Sequence, residues 1–517
     1  MRSYVRILCM LLTLVMVLSC GLVACGNQKP QEDEGNTNKI DSTEELPPED
    51  YTKIPGHTMR GMHGHKLKPV EGLNLNNADF NILVPQSSGW VVSRDFATER
   101  SEKGADVIQD AAYNRVVALK DLYHVNVKAI TATSSVKIQA KTDIEGQLGT
   151  YSLVLCPVTD IGSLSLDGNL CDLTEFDEEE ITLEAPWYNQ NFRSNMTIGG
   201  RLFYVIGDFS IIDNEGISVL QYNLDLFDEY GLDNPYTMVH NKKWTFDALH
   251  KLCKGYVNDF DGNGTIDQYD EFGFLTSSSN ILFFMTSGGV RYAEKDGDDL
   301  PYLALSNSRT IEVLDKGLKL FADSTATAYF DDFKKDPAFT IYEAANKIFM
   351  ENRALVRQCS MYRITQTRSM VSDFGILPLP MADTDQQEYY HMYSFASPAV
   401  AIPSYLKKEI SYSAAAAVLE ALSYYGRSIL LTAYYDVVLK GRVARDDDSR
   451  EMLDVIFDSS YFDIGCCNNF GGISYVFNSS GANKLNTFSS DYAAIKDVAE
   501  AKIEDYIDNW SKFLLKA

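Results

Sequence analysis

The chain has 517 residues, with 72 acidic against 46 basic side chains, a formal net charge of −26, 45% hydrophobic residues and 12% aromatics. Such a body repels nucleic acid and anionic lipid, which argues against both as partners, while its apolar content is that of a folded globular protein. The length exceeds one ordinary core, so two lobes are expected.

The N-terminus begins with Arg2 and Arg6, continues through an apolar run from Ile7 to Leu18 and closes on small residues. That is the three-part plan of a secretory signal, and a dozen apolar residues is short of the roughly 20 needed to span a bilayer as a helix. Leu22-Val23-Ala24-Cys25 resembles the bacterial lipobox. The resemblance implies that residues 1–24 are a lipoprotein signal peptide and that Cys25 carries the lipid. From Gly26 to about Tyr51 the chain is polar and proline-containing, so residues 25–77 read as a lipid-anchored flexible tether. Beyond Cys25 the cysteines are Cys156, Cys171, Cys253, Cys359, Cys466 and Cys467, with no Cys-x-x-Cys pair, and only seven histidines are present. This argues against a zinc or thiol enzyme and favours reduced, mostly buried cysteines.

The folded body is expected to begin with a strand at Asp79 to Pro85. Asp106 to Tyr123 repeats apolar residues at helical spacing, Val125 to Ile130 is a second strand, Thr133 to Leu148 a helix, and Tyr151 to Cys156 a third strand. Alternating strands and helices predict a parallel, doubly wound sheet. Ligands of such sheets sit beyond the strands' carboxyl ends, which nominates Ser87, Ser88, Trp90, Thr159 and Asp160 as one wall of a cleft. Arg201 to Asp208 reads as a turn and strand leaving the first lobe. Val219 to Tyr230 is a strand then a helix, and Trp244 to Tyr256 a helix capped by Thr245.

Asp259 to Asp270 follows, with oxygen side chains at loop positions one, three, five, nine and twelve and Gly264 at six. This is the calcium-loop pattern, in which alternate hard oxygens wrap the cation and glycine permits the sharp turn. The expected ligands are Asp259, Asp261, Asn263, Thr265, Asp267 and Asp270, with a structural Ca2+ as cofactor. Asp270 replaces the usual glutamate with a shorter arm. Further helices are expected at Ile281 to Gly289, Ser308 to Phe321, Ser411 to Tyr425 and Asp491 to Leu515, with a strand at Val400 to Pro403. Asp446-Asp447-Asp448 reads as a solvated turn.

Phe349-Met350-Glu351-Asn352-Arg353-Ala354-Leu355-Val356 resembles the Phe-x-x-Gly-Lys-Ala-Ala-Met segment of the family 1 extracellular solute-binding lipoproteins of bacterial ABC sugar importers, the maltose-binding-protein-like group. Asn352 stands at the family's glycine, and Asn tolerates the left-handed conformation such a turn needs. Asp373 to Pro380 resembles the strand that leads the chain back between the lobes, and Arg201 to Asp208 the outward crossing. The resemblance implies an α/β, two-lobed periplasmic-binding-protein-like fold, each lobe a doubly wound sheet flanked by helices, the two joined by a hinge. On this plan residues 78–206 form the first lobe, with parts of 281–330 and 372–425 returning to it. Residues 207–371 form the second lobe, and 372–517 the hinge return and a C-terminal helical region packing on both.

Binding a polyol needs flat apolar faces for its C–H surfaces and polar groups for its hydroxyls. Candidate platforms are Trp90, Trp187, Tyr362, Tyr393 and Phe470. Candidate hydrogen-bonders are Ser87, Ser88, Asp160, Asp208, Arg363 and Asn469. The expected function is capture of a carbohydrate, an oligosaccharide in preference, and its delivery to ABC transporter permease subunits by a monomer anchored on the extracellular face of the cell membrane. No catalytic residue is assigned. The alternatives are an extracellular glycoside hydrolase using a pair among Asp208, Asp213 and Glu215, and a peptide-binding importer subunit. Neither Gly-x-Ser-x-Gly nor His-Glu-x-x-His occurs.

Overall fold

The computed structural model describes residues 65–87, 93–104, 106–333 and 340–514; Cys25, the signal segment, Ser88 and Trp90 lie outside them. Two sheets organise the chain. Their strands are β1 Ala78–Val84, β2 Val125–Thr131, β3 Leu153–Pro157, β4 Ser218–Asn223, β5 Phe272–Thr276, β6 Thr327–Tyr329, β7 Ala354–Ser360, β8 Phe374–Leu377 and β9 Pro398–Ala401. The first sheet runs β9-β3-β1-β2, with β1, β2 and β3 parallel and β9 antiparallel on the edge. The second runs β8-β4-β7-β5-β6, in which β4 is antiparallel to both its neighbours. β3 is buried over Leu153–Cys156, as its unbroken apolar run demands of a strand covered on both faces.

Helices α1 Val107–Tyr123, α2 Val136–Glu145 and α3 Val158–Leu166 follow the three parallel strands. α1 starts where Asp106 accepts hydrogen bonds from the Ile108 and Gln109 amides, and ends at His124 in a left-handed conformation. In the second lobe α4 Phe246–Cys253 is shorter than expected, but Thr245 caps it through the Ala248 amide as its sequence suggests. Then come α5 Ile341–Met350, α6 Met361–Gln366, α7 Tyr412–Tyr425, α8 Asp447–Asp458 and α9 Phe488–Leu514.

The crossings between lobes are tied together. Val205 and Val400 exchange backbone hydrogen bonds of 3.0 and 2.8 Å, setting the outgoing chain beside β9. Beyond Gly207, the segment Phe209–Glu215 is clamped to the first lobe. Buried Arg115 donates to the Phe209 carbonyl, buried Asp95 accepts from the Ser210 hydroxyl at 2.7 Å and the Ile211 amide at 2.9 Å, and Arg94 pairs with Glu215 at 2.5 Å.

Two sequence expectations are corrected here. The tether ends before residue 77, because Leu67, Val70, Leu73 and Leu75 pack onto the first lobe and the Val70 amide donates to the Tyr123 hydroxyl. Asp446-Asp447-Asp448 is not a loop but the cap and first turn of α8, where unpaired N–H groups favour negative charge; Asp446 accepts from the Ser449 amide at 2.6 Å. Among the described residues, Cys156, Cys171, Cys253, Cys359, Cys466 and Cys467 are free, and four of them are buried.

Glu420 on α7 is buried and accepts a 2.8 Å hydrogen bond from the Tyr188 hydroxyl. Burial pushes its carboxyl up to about 7 from an ordinary 4.5. A carboxyl with a raised folded-state pKa contributes stability below the unfolded value and loses it as pH rises through the folded one. In urea denaturation, the stability of Glu420→Gln relative to the wild type should therefore improve between pH 5 and 7, by at most about 1.4 kcal/mol per pH unit. A pH-independent difference would contradict this assignment.

Candidate functional site

The carboxyl ends of β5, β6 and β7 and the amino end of β4 open on one cavity of about 520 Å³. Its floor is built by register. β4 and β7 pair so that Ser218 stands opposite Ser360, Leu220 opposite Gln358 and Gln221 opposite Arg357. Gln358, 3% exposed, donates to the Ser218 hydroxyl at 2.9 Å and accepts from the Thr276 hydroxyl at 2.8 Å. After β5 the chain turns through Ser277–Asn280. Asp331 holds that turn by accepting from the Ser277 hydroxyl and from both the amide and hydroxyl of Ser278, at 2.7–2.8 Å. The turn delivers Ser279 and Asn280 to the cavity.

The opposite side comes from the return crossing and the C-terminal region. Ser394, Phe395 and Ala396 stand at the carboxyl end of β3, where the Val158 amide donates to the Ser397 carbonyl. Tyr475 and Asn478 complete it. The aromatic faces are well separated in character. Phe330 is buried, whereas Tyr342 and Tyr475 keep 50% and 51% of their surface exposed, enough to stack on a ligand. Tyr475 meets Phe395 edge-on at 6.1 Å and Tyr342 meets Phe330 at 5.6 Å. Hydroxyl and amide groups interleave with these rings. The site can therefore hold a polyhydroxylated solute between apolar plates without offering a nucleophile of raised reactivity; Cys359, which also lines it, has its thiol pushed up by burial.

Of the predicted ligand residues, Arg363 lines this cavity, and its guanidinium lies 5.5 Å over the Tyr342 ring and 5.7 Å over Tyr362. Ser87 is exposed just beyond β1, at the predicted strand end. Asp160 lies in the first turn of α3 and is ion-paired to Lys137 at 2.9 Å. Five assignments are corrected. Trp187 is 2% exposed and packs edge-on against Tyr424. Tyr393 is stacked on Phe462 at 4.4 Å, and Phe470 is buried against Tyr506. Asp208 is bound to Arg427 at 2.8 Å in a separate cavity behind the hinge, which also contains Asp213. Asn469 adopts φ 45° and accepts from the Ser474 amide, closing its own turn. Ser279, Asn280, Gln358, Phe395 and Tyr475 were missed. Ser277-Ser278-Ser279-Asn280 follows an apolar strand directly, and that signal was available.

The Asp259–Asp270 loop lies at the opposite end of the second sheet. The Asn258 amide and Glu271 carbonyl, and the reverse pair, close its base at 3.0 and 3.2 Å, and Arg353 donates to the Gln268 and Asp270 carbonyls. Gly262 and Gly264 take positive φ, as the tight turn requires. Carboxylate oxygens of Asp259, Asp261 and Asp270 lie within 4.8 Å of one another, the span across a Ca2+ coordination shell, and the buried Gln268 Oε1 has no hydrogen-bond partner. The donor set fits a hard cation.

No protein-family model matches the chain, and no curated protein sequence does. Solved structures do match. The maltose/maltodextrin-binding domain from Bdellovibrio bacteriovorus bound to maltotriose is 16% identical, with a TM-score of 0.50 over 83% of this chain and 100% of that one. A cyclo/maltodextrin-binding protein complexed with maltotetraose gives 13%, 0.52, 86% and 98%. An ABC substrate-binding protein from Listeria monocytogenes in complex with cycloalternan gives 14%, 0.51, 83% and 98%. The shared feature is the fold, and it is the two-lobed, periplasmic-binding-protein-like architecture of the maltodextrin-binding proteins.

Gln358→Leu would leave the Ser218 and Thr276 hydroxyls without their buried partner. Denaturation should show a loss of about 1–3 kcal/mol; an unchanged midpoint would mean the network does not hold the cavity floor.

Proposed function

We propose that this protein is a lipid-anchored solute receptor that captures a carbohydrate and passes it to the permease of an ABC importer. The observation that carries the reading is the cavity between the facing strand ends, with half-exposed Tyr342 and Tyr475 among serine, asparagine and glutamine groups. The fold shared with maltodextrin-binding proteins supports it, since those structures hold oligosaccharides. Two stacked rings and several neutral hydrogen bonds at ~0.5–1.5 kcal/mol each suffice for micromolar affinity, about 8 kcal/mol. A sugar that left one of these groups unpaired would be discriminated against. Hinge closure would bury the ligand and create the form that docks on the permease.

The lipobox-like Leu22–Cys25 supports attachment at the outer face of the membrane through Cys25. Among the described residues no helix is long and apolar enough to cross a membrane. A hydrolase reading has less support: Asp208 and Glu215 are committed to Arg427 and Arg94, and neither these two nor Asp213 lines the cleft cavity among the described residues. Calcium in the Asp259–Asp270 loop would act as a clip on the second lobe, a strand's length away from the ligand.

Titration with a panel of mono- and oligosaccharides should raise the melting temperature, reduce the radius of gyration in X-ray scattering and return the sugar chemically intact. Absence of compaction with every sugar, or release of hydrolysis products, would overturn the reading. For the loop, chelation should lower the melting temperature and Ca2+ restore it. Asp261→Asn, which keeps an acceptor for the Asn263 amide but removes a charge, should weaken Ca2+ binding at least tenfold while leaving the chelated protein's melting unchanged. Identical calcium affinity in the variant would rule the site out.

A further inference from the structure

We infer that the cleft selects an acidic carbohydrate, one bearing a carboxylate or sulfate, rather than a neutral one. This rests on the carbohydrate reading above and adds the charge of the ligand. Two guanidinium groups, Arg357 and Arg363, line the cavity, and among its described lining residues there is no aspartate, glutamate, lysine or histidine. The site is thus a cationic enclave in a chain of net charge −26.

Among the described residues neither cation has a carboxylate ion-pair partner. Arg357 is 1% exposed, yet its hydrogen bonds run to neutral acceptors only. Nε donates to Gln221 Oε1 at 2.8 Å, Nη2 donates to the same oxygen, and Nη1 donates to Asn346 Oδ1. The Arg363 carbonyl accepts a long 3.5 Å bond from Nη2, and the Phe349 ring packs 4.9 Å from the guanidinium. Arg363 donates from Nη1 to Gln366 Oε1 at 2.9 Å and otherwise lies over the Tyr342 and Tyr362 rings. No carboxylate of the described residues lies within 4 Å of either group. The Glu343 carboxylate accepts from the Thr340 amide at 2.8 Å and the Thr340 hydroxyl at 2.9 Å, capping α5, and those bonds first, with the Arg363 charge after them, hold it below the ordinary range.

A buried cation without a counter-charge is costly to keep. Gln221, which pairs with Arg357 in the β4–β7 register, would be the natural place for a glutamate if the charge served only the fold; an amide leaves the positive field directed into the cleft. Arg363, half-buried and stacked on tyrosines, presents a planar fork suited to two parallel hydrogen bonds with a carboxylate or sulfate. Tyr342 beneath it would carry the sugar ring attached to that acid. In this arrangement Arg363 touches the anion and Arg357 supplies the field behind it.

Calorimetry with the full folded chain tests this using oligouronates from pectin and from alginate, each beside its carboxyl-reduced form, together with sulfated disaccharides and maltotriose. The expected result is at least tenfold tighter binding of one acidic sugar than of its neutral counterpart, weakening as salt is raised from 50 to 500 mM. Preference for uronates or for sulfated sugars would name the acid. Arg363→Gln should melt like the wild type without ligand and lose the acid-over-neutral ratio, and Arg363→Lys should recover only part of it. Equal or tighter binding of neutral sugars, or an unaltered ratio in Arg363→Gln, would overturn the inference and leave carbohydrate capture standing. Failure to bind any saccharide would overturn both.

Discussion

Two hydrogen bonds between Val205 and Val400 determine how the rest of the molecule is arranged. They bring the chain leaving the first lobe alongside the strand on which it returns, and β9 in turn completes the first sheet against β3. With the return strand fixed there, Ser394–Ser397 must lie at the carboxyl end of β3. The second sheet then presents the carboxyl ends of β5, β6 and β7 to the same space. The candidate cavity is a consequence of this connectivity. No local motif builds it, which is why its lining comes from strand ends, a turn, a crossing and the C-terminal region together.

The charges near the hinge play a different part from those in the cleft. Asp95 and Glu215 are buried and Asp208 nearly so, with arginine partners or hydroxyl and amide donors, and burial still raises each carboxyl, Glu215 to about 8. Such groups are held because the surrounding structure over-determines them; Asp95 and Glu215 secure Phe209–Glu215 against the first lobe, and Asp208 ties the crossing to Arg427. In the cavity the pattern inverts: Arg357 is buried, Arg363 half-buried, and no acid is among the described lining residues. The carboxylates near the hinge are thus engaged by side chains and backbone of the same chain, and the described lining of the cavity carries arginines instead.

Much of the fold was legible from pattern. The apolar runs of β1, β2 and β3, the 308–321 helix, the Thr245 cap and the left-handed turn at Asn352, observed at φ 59°, follow from local chemistry that needs no partner. The ligand residues were much less so. In a chain with 12% aromatics, Trp187 and Phe470 look the same in sequence whether they fill a core or line a cleft. Burial depends on packing across hundreds of residues, as in the Tyr188–Glu420 and Asp208–Arg427 contacts. The strand-end rule read on the first lobe nominates Ser87, Thr159 and Asp160, none of which lines the cavity; the same rule after Phe272–Thr276 points to Ser279 and Asn280, which do.

Gly375 on β8 has an ordinary backbone, and its lack of a side chain answers a steric demand from elsewhere. A methyl group there would overlap the Tyr222 ring and the Tyr236 hydroxyl. These two rings meet at 5.3 Å on the neighbouring strand and the helix beyond it. The three positions are therefore interlocked: with both rings in place only glycine fits here, and a larger residue becomes admissible only where Tyr222 and Tyr236 both give way. The edge strand, its neighbour and the helix beyond are thus coupled by exclusion of a single methyl group.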